Sequence, residues 1–240
     1  MKKLFFVLNI IFLISCLNTY SDIIENIEVE KFYKLLQKNA GLILDVRTAE
    51  EFNSGCIKDA TNIDFYSNDF IDKLNLIKKD IPIYIYCRSG GRSSAAAIKM
   101  EKLGFSKVYN LVGGIKAWEL SKYSLSETKK VKSKKRRAPI FSISKISQIL
   151  NNNTIVLLEF STDWCLPCKK MKPLIQEIKN ENPNIKCIVI DADRNKELVA
   201  NYQIQSVPTF IIFKNNIEIF RNNGIISKTE LLDHLLRFKK

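Results

Sequence analysis

Apolar and polar positions follow two different periods between residues 22 and 122. Short apolar runs are typical of buried strands, and apolar residues spaced three and four apart are typical of helices. The predicted strands are Leu42–Asp45 and Ile81–Tyr86, and the predicted helices are Glu28–Lys38, Gly90–Leu103 and a short one that opens at Glu50–Phe52. Strands alternating with helices predict an α/β domain with a parallel sheet.

Two polar residues follow these strands. Asp45 ends the first strand and Cys87 comes directly after the second. Because the carboxyl ends of parallel strands meet at one edge of a sheet, where ligands bind in such folds, we expect both residues at the same rim.

A further apolar run, residues 154–160, ends just before Trp164-Cys-Leu-Pro-Cys168, and a Lys-rich helical pattern follows. This order puts Cys165 at a helix N-terminus, where free N–H groups and the helix dipole favour a thiolate. Cys165 is then predicted to attack disulfides, with Cys168 as the resolving thiol and redox partner. A structural zinc site would need two more ligands, yet the only histidine is His234 and no second Cys-x-x-Cys exists, so no metal is predicted.

Size and charge narrow the class of protein. The chain has 240 residues, of which 46% are apolar, enough for two domains with separate cores. Lysine and arginine outnumber aspartate and glutamate 38 to 25. The excess is spread widely or concentrated in one linker, and no groove-reading or aromatic RNA-binding motif accompanies it. No nucleic-acid partner is predicted.

The first residues predict export. A basic Met1-Lys2-Lys3 precedes an apolar stretch over residues 4–14, which is too short for a comfortable membrane span. Leu13-Ile14-Ser15-Cys16 resembles a bacterial lipobox, which implies removal of residues 1–15 and lipid on Cys16. The alternative is an ordinary cleaved signal peptide with a chance cysteine. We expect a lipid-anchored protein of the cell envelope that faces the periplasm or the exterior.

Cys56, Cys87 and Cys187 remain after the redox pair and Cys16. An odd remainder in an exported protein predicts at least one working free thiol. Cys87 opens a loop with two glycines that leads into a helix, so backbone N–H groups can converge on its sulfur. With Arg88 and Arg92 nearby, such a cradle favours a thiolate, a persulfide or an oxyanion such as thiosulfate.

The first domain resembles the rhodanese (sulfurtransferase) family. The motifs that carry the resemblance, in the family's order, are Asp45-Val-Arg47, Glu51-Phe52, Gly55-x-Ile57, Ala60-x-Asn62-Ile63, Cys87 to Ser93 and Gly113-Gly-Ile-Lys-Ala-Trp118. The resemblance implies that Cys87 is the sulfur-carrying nucleophile and that Arg88 and Arg92 frame the anion. It also implies a substrate position lined by Ser89, Gly90, Gly91 and Ser93.

The same resemblance assigns other residues to the rim. Asp45, Arg47 and Glu51 are expected to hold the rim together. Asp45 is also expected to lie beside the substrate. Four residues separate Cys87 from Arg92, one fewer than in related phosphatase-like domains, which favours sulfur over phosphate. Cys56 stands where the family usually has histidine, either as a neutral replacement or as a thiol that traps or protects Cys87.

Residues 140–240 resemble thioredoxin throughout. The expected order is helix Ser144–Leu150, strand Ile155–Phe160, a helix containing Pro173, strand Lys186–Ile190, helix Lys196–Tyr202, two strands and a final helix. The resemblance implies a cis peptide bond before Pro208, with a substrate strand docking against Trp164, Val207 and Pro208. Glu159 matches the family's buried acid, which exchanges protons with Cys168 and has a pKa raised by burial.

Two departures from thioredoxin concern its reduction potential. Leu166 replaces a glycine between the cysteines, and Val189 stands where a lysine usually pairs with the buried acid. Cys187 is expected to be a small core residue.

The predicted organisation is a signal peptide (1–15), a rhodanese-like domain (16–122), a basic linker (123–139) and a thioredoxin fold (140–240). The linker should be solvated and extended by charge repulsion, with a reach on the order of 20 Å, enough for reduced Cys165 to discharge sulfur from Cys87 in the same molecule.

We expect an exported, membrane-anchored sulfurtransferase and thiol–disulfide oxidoreductase, in which Cys87 carries a persulfide and Cys165 with Cys168 reduces it or partner disulfides. Expected partners are thiosulfate or another sulfane-sulfur donor, protein disulfides or persulfides, and an electron-donating thiol protein; no cofactor is predicted. One alternative is that the rhodanese-like half is a non-catalytic docking module. The other is that the thioredoxin-like half works alone as a general disulfide reductase.

Overall fold

A computed structural model describes residues 23–38, 41–127 and 138–237. The predicted signal peptide, Cys16 and most basic residues of the linker lie outside these ranges. The elements of the first domain are β1 (Ile24–Ile27), α1 (Val29–Gln37), β2 (Leu42–Asp45), α2 (Ala49–Asn53), β3 (Thr61–Asn62), α3 (Phe70–Asn75), β4 (Ile83–Tyr86), α4 (Gly91–Lys102), β5 (Val108–Leu111) and α5 (Gly114–Leu120).

The first domain is built on a five-stranded parallel sheet in the order β1-β5-β4-β2-β3. Ile83 and Ile85 of β4 face the core that α4 covers, whereas Tyr84 and Tyr86 face the core under α1 and α5. Both faces are buried, which explains why this strand reads as an unbroken apolar run and not as an alternation. The predicted α/β class is confirmed.

The four-residue strands β1 and β5 and the helices α3 and α5 were not predicted. The two strands carry asparagines at matching positions: Asn110 of β5 donates to Asn26 of β1 at 2.8 Å. Polar residues in such short strands interrupt the apolar run on which a sequence pattern depends. Their pairing in the sheet, and not their own composition, makes them strands.

The first domain continues past the predicted boundary at residue 122. The ring of Tyr123 packs against Trp118 with centroids 4.8 Å apart, and the Trp118 Nε1 donates to the carbonyl of Ser124 at 3.2 Å. Cys56 and Ser126 then form an isolated antiparallel bridge. Residues 123–126 therefore pack on the first domain.

The second domain has a four-stranded mixed sheet in the order β7-β6-β8-β9. Strands β6 and β7 are parallel, and the other two pairs are antiparallel. Its elements are α6 (Ile143–Asn151), β6 (Ile155–Ser161), α7 (Leu166–Glu181), β7 (Ile185–Asp191), α8 (Lys196–Asn201), β8 (Thr209–Lys214), β9 (Ile217–Asn223) and α9 (Lys228–Leu236). The predicted elements agree with these within two residues, and Pro173 lies inside α7 as predicted.

The two domains touch through the segment that follows α3. The side chain of Leu76 is buried in an apolar cluster of the second domain that includes Cys165 and Val207. The backbone N–H of Val207 donates to the carbonyl of Leu76 at 2.9 Å. This contact, which no sequence pattern indicated, brings the loops before β2 and β4 over the start of α7.

No helix within residues 23–38, 41–127 and 138–237 is both long and apolar enough to cross a membrane.

Candidate active sites

Cys87 lies directly after β4 and is almost fully buried, with 1% of its surface exposed. Its Sγ accepts hydrogen bonds from the N–H of Gly90 at 3.1 Å and from the Ser93 hydroxyl at 3.5 Å. Burial alone would raise the pKa of Cys87. The hydrogen bonds from the Ser93 hydroxyl and from the backbone of Ser93, Ser89 and Gly90 outweigh burial and lower that pKa below its ordinary value. The loop's N–H groups and the Ser93 hydroxyl thus converge on the Cys87 sulfur.

The start of α5 holds this loop from outside. The N–H groups of Ile115 and Lys116 donate to the carbonyls of Cys87 and Arg88 at 2.8 and 3.2 Å. Because C=O and N–H point in opposite directions across a trans peptide, this turns the loop's N–H groups away from α5. Gly114 permits the approach, since a Cβ there would lie 2.4 Å from the Cys87 carbonyl oxygen. The motif Gly113–Trp118 indicates the family in the sequence, but its support of the Cys87 loop is visible only in the structure.

Arg92 is held by a carboxylate. Its Nη1 and Nη2 donate to Glu51 at 2.7 and 2.8 Å, and its guanidinium lies 5.6 Å from the centre of the Tyr66 ring. The Arg92 bond, opposed by burial, lowers the pKa of Glu51 to about 2. Glu51 thus partly neutralises the charge of Arg92, which lies at the side of the site. Arg88 is exposed on the loop itself, together with Ser89 and Gly91.

Asp45 does not line the cradle. Its side chain is fully buried, and both oxygens accept from the Arg47 guanidinium at 2.6 to 3.0 Å. Arg47 also donates to the carbonyl of Gly55 at 2.7 Å, tying β2 to the following loop. The expected rim-holding role of Asp45 and Arg47 fits these bonds. The expected place of Asp45 beside the substrate does not, because no carboxylate oxygen points outward.

Cys56 lies next to this ion pair and is buried. Burial, together with the charge of Asp45, raises the pKa of Cys56 to about 11. Its thiol stays protonated at neutral pH, which supports a neutral replacement and not a second nucleophile.

The redox pair lies at the carboxyl end of β6. Cys165 caps the N-terminus of α7 and forms a disulfide with Cys168. The Cys165 Sγ accepts from the N–H of Cys168 at 3.0 Å. The Trp164 Nε1 donates to Asp193 at 2.9 Å, which fixes the ring beside the pair. The Val207–Pro208 bond is cis, as expected.

Glu159 is buried on β6, with 4% of its surface exposed. Burial raises its pKa to about 7, although the charge of Lys172 partly opposes the shift. Val189 is the Glu159 neighbour on β7 and is about half exposed, so this position supplies no cation. Cys187, two residues earlier, packs partly buried against the core beside α7 and α9, and burial raises the pKa of its thiol.

A cavity of about 270 Å³ lies between the two domains beside the disulfide. Trp164, Cys165 and Pro208 line it from one side, and Thr61, Leu76 and Ile81 from the other. With this cover, only 2% of the surface of Cys165 is exposed.

The Cys87 loop and one wall of the cavity lie at different ends of β4. Ile81 precedes β4 and lines the cavity, whereas Cys87 follows the same strand at its other end. The strand's rise of about 3.3 Å per residue separates these two positions by roughly 15–20 Å. Direct approach of Cys165 to Cys87 stays a prediction. The described residues contain no group of three or more His, Cys, Asp or Glu side chains suited to a metal ion.

The fold and the disulfide of the second domain define a thiol–disulfide oxidoreductase. The first domain adds a second cysteine site at Cys87. A family model for the rhodanese-like domain matches residues 28–121, and one for thioredoxin matches residues 142–237. The chain belongs to the thioredoxin family through its second domain, and its first domain is rhodanese-like.

Several thioredoxins resemble the second domain. The chain is 35% identical to a thioredoxin of Pyropia yezoensis over 92 residues, which is 38% of this chain and 86% of the relative. It is 34% identical to a thioredoxin of Rickettsia felis over 87 residues, 36% and 83% of the two chains. Among solved structures, the thioredoxin of Plasmodium falciparum covers 41% of this chain and 96% of its own, with 25% identity and a TM-score of 0.38.

Proposed function

We propose that the chain is an exported, lipid-anchored enzyme of the cell envelope that joins sulfurtransferase and thiol–disulfide oxidoreductase activities. The observation that carries the sulfurtransferase half is the Cys87 sulfur, which accepts from Gly90 and Ser93 and has a lowered pKa. A buried thiol without such donors would be inert, so the cradle favours a nucleophile over a docking module.

Cys87 takes one sulfur from thiosulfate. The thiolate attacks the outer sulfur, the S–S bond of thiosulfate breaks, and sulfite leaves with the bonding electrons. The persulfide formed on Cys87 keeps its negative charge, which the same N–H and O–H donors stabilise. Arg88, exposed on the loop, attracts the incoming anion.

Reduced Cys165 and Cys168 then remove this sulfur. The Cys165 thiolate attacks the outer sulfur of the persulfide and frees the Cys87 thiolate. Cys168 next attacks Cys165, sulfide leaves, and the disulfide closes, so two electrons pass from the dithiol to the sulfur atom. Glu159, whose pKa is raised to about 7, accepts the Cys168 proton before this second attack. A partner thiol protein must restore the dithiol.

Mass spectrometry of thiosulfate-treated protein tests the first step. The peptide containing Cys87 should gain one sulfur atom and lose it to cyanide as thiocyanate. Cys87→Ser should abolish both, whereas Cys56→Ser, which changes a thiol that is protonated at neutral pH, should abolish neither. A sulfur gain that survives in Cys87→Ser would refute the assignment, and no gain in the native protein would favour the docking module.

Export and anchoring rest on the pattern of residues 1–16. In a bacterial host, the mature protein should begin at Cys16, carry acyl chains and fractionate with membranes. Cys16→Ala should abolish acylation; an unmodified Cys16 in membrane-free fractions would contradict the proposal.

A further inference from the structure

The backbone N–H of Val207 already has a partner. In the proposed oxidoreductase function, on which this inference rests, a substrate strand docks against this residue beside Pro208. Here the carbonyl of Leu76 accepts that N–H at 2.9 Å. The Leu76 side chain is 4% exposed and packs with Cys165 and Val207, not with its own domain's core. The first domain thus presents a backbone acceptor and an apolar side chain, the two features by which an extended peptide is recognised.

Two ion pairs flank this contact. Lys170 of α7 lies 3.1 Å from Asp59, and Lys196 of α8 lies 3.5 Å from Asp72. All four side chains are about half exposed. Such exposed pairs contribute little to stability, so we expect them to orient the domains and burial of the Leu76 side chain to hold the domains together.

The docked segment covers the groove but does not fill the space next to the disulfide. The cavity of about 270 Å³ beside Cys165 can admit a small molecule. A disulfide on a folded protein needs the backbone donor of Val207 and the surface on which Leu76 rests. While Leu76 occupies this donor and this surface, a protein disulfide cannot bind there.

We propose that Leu76, with its backbone carbonyl, is a built-in occupant of the oxidoreductase groove and sets its specificity. With the domains docked, the reduced pair transfers two electrons only to small disulfides that enter the cavity. In that step Cys165 forms a mixed disulfide and releases one thiol, and Cys168 displaces the second. Protein disulfides react only after the domains part.

Single-turnover oxidation of the full chain tests this proposal. The pair is reduced with dithiothreitol, freed of reductant, and mixed with insulin or with bis(2-hydroxyethyl) disulfide. Leu76→Asp places a charge in the apolar groove and should raise the ratio of the insulin rate to the small-disulfide rate about tenfold or more, the factor for a 1.4 kcal/mol loss of docking. Glu30→Gln removes an exposed ion pair of α1, with Lys34 at 2.7 Å, and should leave the ratio unchanged.

A second experiment changes no buried residue, so it tests the proposal even if Leu76→Asp does not fold. Zero-length carbodiimide coupling should join Asp59 to Lys170 and Asp72 to Lys196. The coupled protein should lose its reaction with insulin and keep that with the small disulfide, whereas Asp59→Asn combined with Asp72→Asn should resist coupling and keep both. Asparagine suits position 59, whose φ is 63°.

The outcomes distinguish failure of the groove proposal from failure of the oxidoreductase function. Equal insulin rates in coupled, native and Leu76→Asp protein would overturn the proposal while leaving the oxidoreductase function standing. Failure of both disulfides to oxidise the reduced pair would overturn the oxidoreductase function itself.

Discussion

Single side chains decide the protonation state of each sulfur centre. Cys87 and Cys56 are both buried cysteines of one domain, yet the pKa of Cys87 is lowered and that of Cys56 is raised to about 11. The difference is the number of donors: the Ser93 hydroxyl and several N–H groups face Cys87, whereas Cys56 lies beside the Asp45 carboxylate. Burial makes a thiol inert unless hydrogen bonds to the thiolate exceed the cost of desolvation.

Glu159 links catalysis to stability. Its folded pKa of about 7 lies above the ordinary value of 4.5, so the folded state holds a proton that the unfolded state has released between these values. The free energy of unfolding therefore has its full contribution from Glu159 below pH 4.5. This contribution falls by about 3 kcal/mol as the pH rises to about 7. Glu159→Gln should remove this loss, and urea unfolding at pH 5 and pH 8 measures it.

The same substitution should slow disulfide exchange about tenfold or more near pH 7, because the proton of Cys168 must then pass to water. Glu177→Gln, on the exposed part of α7, is the matched control. Unchanged exchange rates in Glu159→Gln across neutral pH would rule out proton transfer by Glu159.

Short helices hold the Cys87 loop in place. The first turn of α2 forms a capping box, in which Thr48 and Glu51 each bond the other's backbone N–H. Glu51 also holds Arg92 at the start of α4. One carboxylate therefore joins a helix cap to the wall of the sulfur site.

Glu51→Gln should lower the free energy of unfolding by about 1–2 kcal/mol, since it weakens both the cap and the ion pair in a partly solvated setting. Because the pKa of Glu51 is lowered to about 2, this contribution is present above pH 4.5 and is lost as the pH falls toward 2. Chemical denaturation at pH 7 and pH 3 measures the effect. Glu50→Gln, one residue away, should change stability much less; equal losses would show that only helix-terminal charge matters.

Docking of the two domains covers Cys165 and leaves 2% of its surface exposed. Cys87 follows β4 and Ile81, which lines the cavity, precedes it, so we expect sulfur to pass between the two centres of one molecule only after the domains part. Residues 127–137 then connect them in the chain. That tether keeps Cys165 at roughly millimolar concentration around Cys87.

We therefore expect sulfide release from Cys87-loaded, reduced chains to be independent of protein concentration and faster in Leu76→Asp than in the native chain. Timed release of labelled sulfide at several dilutions measures both. A mixture of Cys87→Ser with a chain lacking both redox cysteines should release sulfide in proportion to concentration. A native rate that rises with concentration, or no gain in Leu76→Asp, would show that the two sites do not work within one molecule.

The sequence by itself determined the features that depend on residues close together in the chain. Strand β4, the loop from Cys87 to Ser93, the Cys165–Cys168 pair and the raised pKa of Glu159 all follow from residues that are neighbours in the chain or from family motifs. These features depend on short-range hydrogen bonds and on burial that an apolar run already indicates.

Only the tertiary structure decided the rest. Strands β1 and β5 exist because they pair in the sheet, Arg47 is held beside Asp45 because it also donates to the carbonyl of Gly55, and Gly114 is needed because α5 touches the Cys87 loop. The contact of Leu76 with Val207 joins residues that are far apart in the chain and carry no periodic signal of their meeting. Its energy comes from surface complementarity between two folded domains, a property that exists only once both have formed.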